Sequence, residues 1–413
     1  WDTQGRMVRY DVQNPEQQDL RNWMVQNPQR IHLGRVGLVL KKKNGSIASL
    51  GDLQTPEQVL DLWSGISTST FSVSSEPVTV TTIGHPSKDA IAVRIKSRKV
   101  AEGSIGIFID FPYASLHEFG NGADWEKPDK HQTNETVNGR QACFQRTMDD
   151  TRYDVRMSWD QQVDFKKIKG HRYELMPVTK SDEICFIVCF DKEKDQSPLP
   201  TFAQTEQESI KHWADYWQSG GAIDLSESKD PRWKELERRI VLSQYIMAVN
   251  EAGSLPPQES GLVNNGWYGK YHHEMIWWHC THYALWNRWP LMDKMMEVYP
   301  DNLEMYKKSA KAQGYKGVRW PKTIGDRTWW EWPNETNPLL IWQQPHAIFF
   351  AELDYRAHPT RETLDKWKEV VFETANFMAS YAYYNKKEKR YILGYPVQVV
   401  SENCDPRITY NPT

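Results

Sequence analysis

The sequence predicts a β-sandwich domain, a linker helix and then a helical domain, and three observations predict it. At 413 residues the chain exceeds the usual length of one domain, so two cores are expected. Short β-branched runs separated by turn residues fill the first half, and the pattern then changes to helical spacing. Ten of the 19 tryptophans (Trp267, Trp277, Trp278, Trp286, Trp289, Trp320, Trp329, Trp330, Trp332 and Trp342) crowd into one stretch of the second half.

In the first half, GRVGLVLKK, STFSVSS, VTVTTIG, AIAVRIKS, GIFIDFPY, YDVRMSWD, YELMPV and ICFIVCF are punctuated by Gly, Pro, Asn and Asp. Several alternate with period two, as half-buried antiparallel strands do. HQTNETVNGR, with its Asn-Gly, marks a hairpin or an exposed loop. Cys185 and Cys189 share one face of a strand; with Cys143, Cys280 and Cys404 they show no metal-ligand spacing and read as free thiols. The sandwich is placed over residues 1–203.

After DKEKDQSPLP the period changes. TEQESIKHWADYWQS forms a helical linker, residues 204–228, and the helical domain covers 229–413. In DPRWKELERRIVLSQYIMAVNEA, Trp233, Leu236, Ile240, Ser243 and Met247 follow one stripe, with Asp230 as N-cap ahead of Pro231 at the first helical position. Further helices are expected in YHHEMIWWHCTHYALWNR, PLMDKMMEVYPDNLEMYKKSAKAQ, NPLLIWQQPHAIFFAELDYRA and TRETLDKWKEVVFETANFMASYAYYN. The loop from Gly314 to Asn337 is long for a compact domain, which marks it as functional or as hiding structure.

Charge excludes some partners. With 51 basic and 54 acidic residues and a net charge of −3, nucleic acid is disfavoured and neutral substrates are favoured. No stretch reaches the roughly 18 apolar residues of a membrane span. The chain starts with Trp rather than Met, compatible with a removed signal peptide, a removed tag or a further segment. The compartment stays open, periplasmic or extracellular being preferred to cytoplasmic.

A core alone rarely gathers so many indoles, because each buried N–H needs a partner. Their faces suit the C–H face of a pyranose, with charged and amide groups reading its hydroxyls, so an oligosaccharide or glycoside is the expected ligand. A tryptophan-rich packing interface is the competing reading.

The order of elements resembles the six-hairpin, (α/α)6-toroid glycosidases, and within them glycoside hydrolase family 65, the maltose and kojibiose phosphorylases. Four segments carry the resemblance: LERRIVLSQYIMAVNEAG leading into GLVNNGWYGKYHHEMIWWH, then GYKGVRWP, QQPHAIFFAELDY and PVQVVSENCDPRITYNPT. The last stands where the family carries its general-acid glutamate, which maps to Glu402. Elsewhere the sequence departs: Trp277-Trp278-His279 replaces Phe-Trp-Asp, and Ser401-Glu402-Asn403-Cys404 replaces Pro-Asp-Glu-Tyr. The resemblance implies an inverting glycosidase. An inverting disaccharide phosphorylase and a non-catalytic sugar-binding protein are the alternatives. Five or six helices fall short of six hairpins, so a second chain or a C-terminal segment is expected to complete the toroid.

Individual residues are read against that expectation. Glycoside cleavage needs a carboxylic acid at the leaving oxygen, and Glu402, between an apolar run and a Pro-Asn-rich loop, is the candidate. Trp267, Trp277 and Trp278 form the ring platform, and Lys270, His273 and Glu274 bind sugar hydroxyls. Arg319, Trp320 and Lys322 form a clamp around Pro321. Gln344 and His346, beside Gln343, are amide and imidazole groups in an apolar helix that require partners, and a polyhydroxylated ligand would serve, so both are expected to bind substrate. HEMIWWH is not the HExxH zinc pattern; His279 and His282 lack a third ligand, so neither metal nor cofactor is expected. Glu274, Trp278 and His282, at i, i+4 and i+8, are expected on one helix face.

Overall fold

The computed structural model describes the chain apart from residues 11–13, 193–194, 196, 326–329, 334–336, 399–401, 403 and 412–413. Trp329, Ser401 and Asn403 therefore lie outside the described residues. The chain divides into two compact units, one of residues 31–115 and 123–219, the other of residues 1–30, 116–122 and 220–413.

The first unit is a β-sandwich. Its strands are β1 (Arg35–Leu40), β2 (Leu53–Asp61), β3 (Ile66–Val73), β4 (Glu76–Gly84), β5 (Ala90–Lys96), β6 (Ile105–Asp110), β7 (His131–Asn138), β8 (Gln141–Met148), β9 (Thr151–Trp159), β10 (Val163–Lys169), β11 (Arg172–Pro177) and β12 (Glu183–Asp191). They form an eight-stranded antiparallel sheet, β7-β8-β9-β12-β5-β4-β3-β2, and a four-stranded one, β10-β11-β6-β1. Alternation decides which side of a strand is buried: along β9, Tyr153, Val155, Met157 and Trp159 point inward. They meet Ile105, Ile107 and Ile109 of β6 in the shared core. HQTNETVNGR is a hairpin, its Asn138 opposite Gln141 and Gly139 at φ +59°. The expected linker helix, α1 (Phe202–Ser219), packs on the outer face of the large sheet, where Phe202 joins Ile83, Ala92, Ile187 and Cys189.

The sandwich also buries a cation. Arg146, 1 % exposed, donates to the Gln132 carbonyl at 2.8 Å, to Thr133 Oγ1 and to His131 Nδ1 at 2.5 Å. The His131 ring stacks on His171 at 3.8 Å, and His171 Nε2 donates to the Pro128 carbonyl at 2.8 Å.

The second unit holds α2 (Trp233–Asn250), α3 (Ile276–Leu285), α4 (Trp289–Met296), α5 (Val298–Gln313), α6 (His346–Ala357) and α7 (Arg361–Tyr381). The α6–α7 pair, α5 on α7, and α3 on α4 and α6 enclose one core around Tyr283, Tyr299, Trp320 and Phe350. Residues 1–30, expected with the sandwich, fold with these helices because Val8 and Tyr10 bury against Tyr315, Phe377 and Tyr381. The Tyr10 and Tyr315 hydroxyls lie 2.7 Å apart.

Several helix boundaries differ from expectation, each for a local reason. Asp230 takes the Arg232 N–H in a turn, and α2 starts at Trp233. One expected helix is two, α4 and α5, because Pro300 has no N–H to donate to the Met296 carbonyl. Another starts only at His346. The helix expected from Tyr271 begins at Ile276, because Tyr271 and His272 pair as a short strand with Ile324 and Thr323. Glu274 is thus not on the helix with Trp278 and His282, and the one-face expectation is corrected. The long loop from Gly314 contains that second strand, Thr323–Ile324.

The His131–Arg146–His171 cluster gives a pH test. Burial first, then the neighbouring Arg146 and the His171 ring, push His131 down to about 3. Burial likewise lowers His171. Both values lie below that of an unfolded histidine, so the unfolded chain binds protons first and stability falls as pH drops from about 6.5 toward 3. Urea unfolding at pH 7 and pH 4 should show this loss, and His131→Gln should make it smaller.

Candidate functional site

The short strand pair organises the helical unit's polar centre. Beyond the pairing of Tyr271 with Ile324 and His272 with Thr323, the Glu274 N–H donates to the Lys322 carbonyl at 3.1 Å. Side chains alternate along an extended segment. His272 and Glu274 therefore face one way and His273 the other. His273 goes into the core, stacked on Tyr299 at 5.6 Å and edge-on to Tyr306, where burial pushes it down to about 3.

The opposing segment also joins the core to this centre. Gly317, at φ +72°, lets the backbone pass α7, since a Cβ there would collide with the Glu373 carbonyl. Val318 then donates to that carbonyl at 3.0 Å. Arg319 donates to Glu331 at 3.2 Å and to the Asn337 carbonyl at 2.6 Å. Trp320, 1 % exposed, is edge-on to Tyr299 at 4.9 Å and gives its indole N–H to Thr374 at 2.9 Å. Asn337 serves Thr323 as a strand neighbour would, accepting from its N–H at 2.8 Å and donating to its carbonyl at 3.2 Å.

Lys322 turns out of this core into a cluster of charge. Its Nζ contacts a Glu402 carboxylate oxygen and lies 3.4 Å from Glu274. It also sits 5.5 Å from the centre of the Trp267 ring. Glu274 accepts from the Trp342 indole N–H at 2.8 Å, and His272 Nε2 lies 3.7 Å from both Glu274 and Glu259. Burial pushes Glu274 up from the usual carboxylate range, opposed by the Lys322 ammonium and the Trp342 N–H, with Glu402 adding to the rise. Burial, then Lys322, keeps His272 far below its ordinary value, so its ring is neutral.

Two groups of aromatic rings adjoin this cluster, one on the Glu274 side through Trp342 and one on the Lys322 side through Trp267. Trp342 is edge-on to Trp278 at 5.1 Å, and Trp278 to Trp277 at 5.3 Å. Trp278 is 50 % exposed. On the other side Trp267 meets Trp332 at 6.3 Å and Phe119 at 5.5 Å. Trp267 and Tyr268 both hold left-handed backbone, at φ +52° and +56°, and so does Glu402 at +57°. Such conformations cost roughly 1–3 kcal/mol each in a bulky residue and gather at functional sites.

Of the residues singled out in the sequence, the structure therefore brings together Glu402, Lys322, Glu274 and Trp267, with Trp277 and Trp278 linked through Trp342. It gives the others structural partners. Lys270 donates to the Asn27 carbonyl at 2.7 Å. Gln344 clasps the Trp320 backbone, accepting its N–H at 2.8 Å and donating to its carbonyl at 2.7 Å. His346 is edge-on to Trp342 at 5.2 Å and lowered by burial to about 4. His272, Glu259 and Phe119 went unnoticed in the sequence, and only the alternation of the short strand would have separated His272 from His273. Among the described residues no group of three or more His, Cys, Asp or Glu is placed to hold a metal, and no helix is long and apolar enough to cross a membrane.

No protein-family model and no curated protein matches the sequence. Solved structures do. The chain is similar to a protein assigned as a kojibiose phosphorylase from the human microbiome, with TM-score 0.64 and 14% identity over 89% of this chain and 52% of that one. It is also similar to a bacterial glucoamylase solved with acarbose, with TM-score 0.53 and 8% identity over 84% of this chain and 53% of that one. Over most of its length the chain shares the fold of these structures, with a β-sandwich and a set of packed helices. The chain spans about half the length of these structures.

Because Gln344 is the buried partner of Trp320, Gln344→Leu should leave the Trp320 N–H without an acceptor. A loss of about 1–3 kcal/mol is expected, to be read from the urea midpoint.

Proposed function

We propose that the protein is a carbohydrate-active enzyme that cleaves a glycosidic bond, an inverting glycoside hydrolase with Glu402 as general acid. The observation that carries the reading is the Lys322 ammonium held against both Glu402 and Glu274, with Trp267 beside the ammonium and Trp342 beside Glu274. A glycoside's leaving oxygen needs a proton as the bond to the anomeric carbon breaks. Glu402, in its protonated form, supplies it; the charge then left on its carboxylate is met by Lys322, and a proton from solvent restores the acid before the next turnover. Trp267, Trp278 and Trp342 offer faces and edges to the C–H surface of a sugar ring, and Glu274 accepts from its hydroxyls. The fold supports the same class of chemistry.

In this reading water attacks the anomeric carbon from the face opposite the leaving oxygen, and its proton passes to the carboxylate base that inversion requires there. The similarity to a structure assigned as a phosphorylase favours one second reading, in which phosphate takes the place of water. Release of reducing sugar from α- and β-linked disaccharides, with and without phosphate, separates the two. Glu402→Gln should lower kcat by about 10²–10⁴ while leaving sugar affinity in place. Activity unchanged by that substitution removes Glu402 from the reaction, and binding without turnover in the unmodified protein favours a sugar-binding role.

A further inference from the structure

Residues 116–122 lie in sequence between β6 and β7, yet they fold with the helical unit. Their backbone is clamped there. Gly120 and Asn265 exchange N–H···O bonds of 3.0 and 2.7 Å, and the Tyr268 N–H donates to the Glu118 carbonyl at 3.0 Å. The Asn265 side chain donates in turn to the Arg30 carbonyl at 3.1 Å.

Between these fixed points Phe119 remains 58 % exposed. Its ring stands edge-on to Trp267, 5.5 Å away at 67°. Trp267 carries Lys322 over its ring, and Lys322 carries Glu402 and Glu274. Contacts thus run without a gap from the proposed acid, across one indole, to an exposed phenyl ring. A phenylalanine left mostly exposed forgoes stabilising burial, and loop tips usually carry small or polar residues. A ring held there by three backbone hydrogen bonds is presented, not stranded. Its setting, two rings bordered by an ammonium and carboxylates, matches a pyranose, whose apolar face is bordered by hydroxyls.

We propose that Phe119, together with Trp267, forms the apolar wall of a second sugar-ring subsite beside Glu402, and so determines which disaccharides the enzyme accepts. This rests on the reading of Glu402 as a glycosidic acid. The first sugar ring lies against Lys322, Glu274 and Trp342, and the second lies against Phe119.

Calorimetry in the Glu402→Gln background tests it, with maltose, kojibiose, nigerose, trehalose and cellobiose as two-ring probes and methyl α- and β-glucoside as one-ring probes. Phe119→Ala should weaken the disaccharide that binds by roughly three- to tenfold and leave the matching methyl glucoside unchanged, while Phe119→Trp should retain two-ring affinity. In the active enzyme the same Phe119→Ala change should raise KM for that disaccharide. If Phe119→Ala weakens one-ring and two-ring probes alike, or neither, the subsite is overturned while the proposed function stands. If the unmodified protein cleaves none of the five disaccharides with or without phosphate, and the Glu402→Gln protein binds none, both fall together.

Discussion

An ammonium group taken out of water must find negative charge, and Lys322 is only 7 % exposed. That requirement draws the candidate site together. One carboxylate, Glu274, comes from the turn ahead of α3, and the other, Glu402, from a segment eighty residues beyond the lysine. Neither contact is local in sequence, so each depends on the backbone that brings it there. The strand pair of residues 271–272 and 323–324 fixes Glu274 against Lys322, and left-handed backbone at Glu402 turns its side chain toward the same ammonium.

The same two short segments separate core from site. Extended backbone sends alternate side chains to opposite sides, so His272 and Glu274 border the charged cluster while His273 enters the core beside Trp320. The core side is close-packed, with Tyr299 touching both His273 and Trp320. A change at His273 is therefore felt at His272 and Glu274 through a single peptide bond. Rigidity of this kind suits a site whose charges must be held at fixed distances before a ligand arrives. Burial also keeps the imidazoles of His272 and His273 neutral, so that Lys322 is the cation the two glutamates face.

Much of this was legible in the sequence, and unevenly so. The sandwich and the helices followed from periodicity, because burial of one face repeats over many residues in β9 or α7. The resemblance carried by four short segments agrees with the six-hairpin glycosidase fold found among solved structures. A two-residue strand has no period to read, and Tyr271–His272 therefore passed for the start of α3. Gln344 could be recognised as a buried amide in need of partners, but not as the clasp on the Trp320 backbone, because that partner is twenty-four residues away. Phe119 gave no signal at all, since nothing in residues 116–122 says that they leave the strands around them to join the helices.

The distances along the chain have a consequence for how the protein comes into being. Ribosomal synthesis releases Glu274 first, Lys322 next and Glu402 last. Until Glu402 emerges, Lys322 has only Glu274 for a counter-charge, and the strand pair between their segments can already form. Closing the remaining loop to Glu402 is an entropic step that grows with chain length. Of these three groups the proposed acid is then the last to arrive, so the backbone that holds Lys322 and Glu274 can fold before Glu402 joins them.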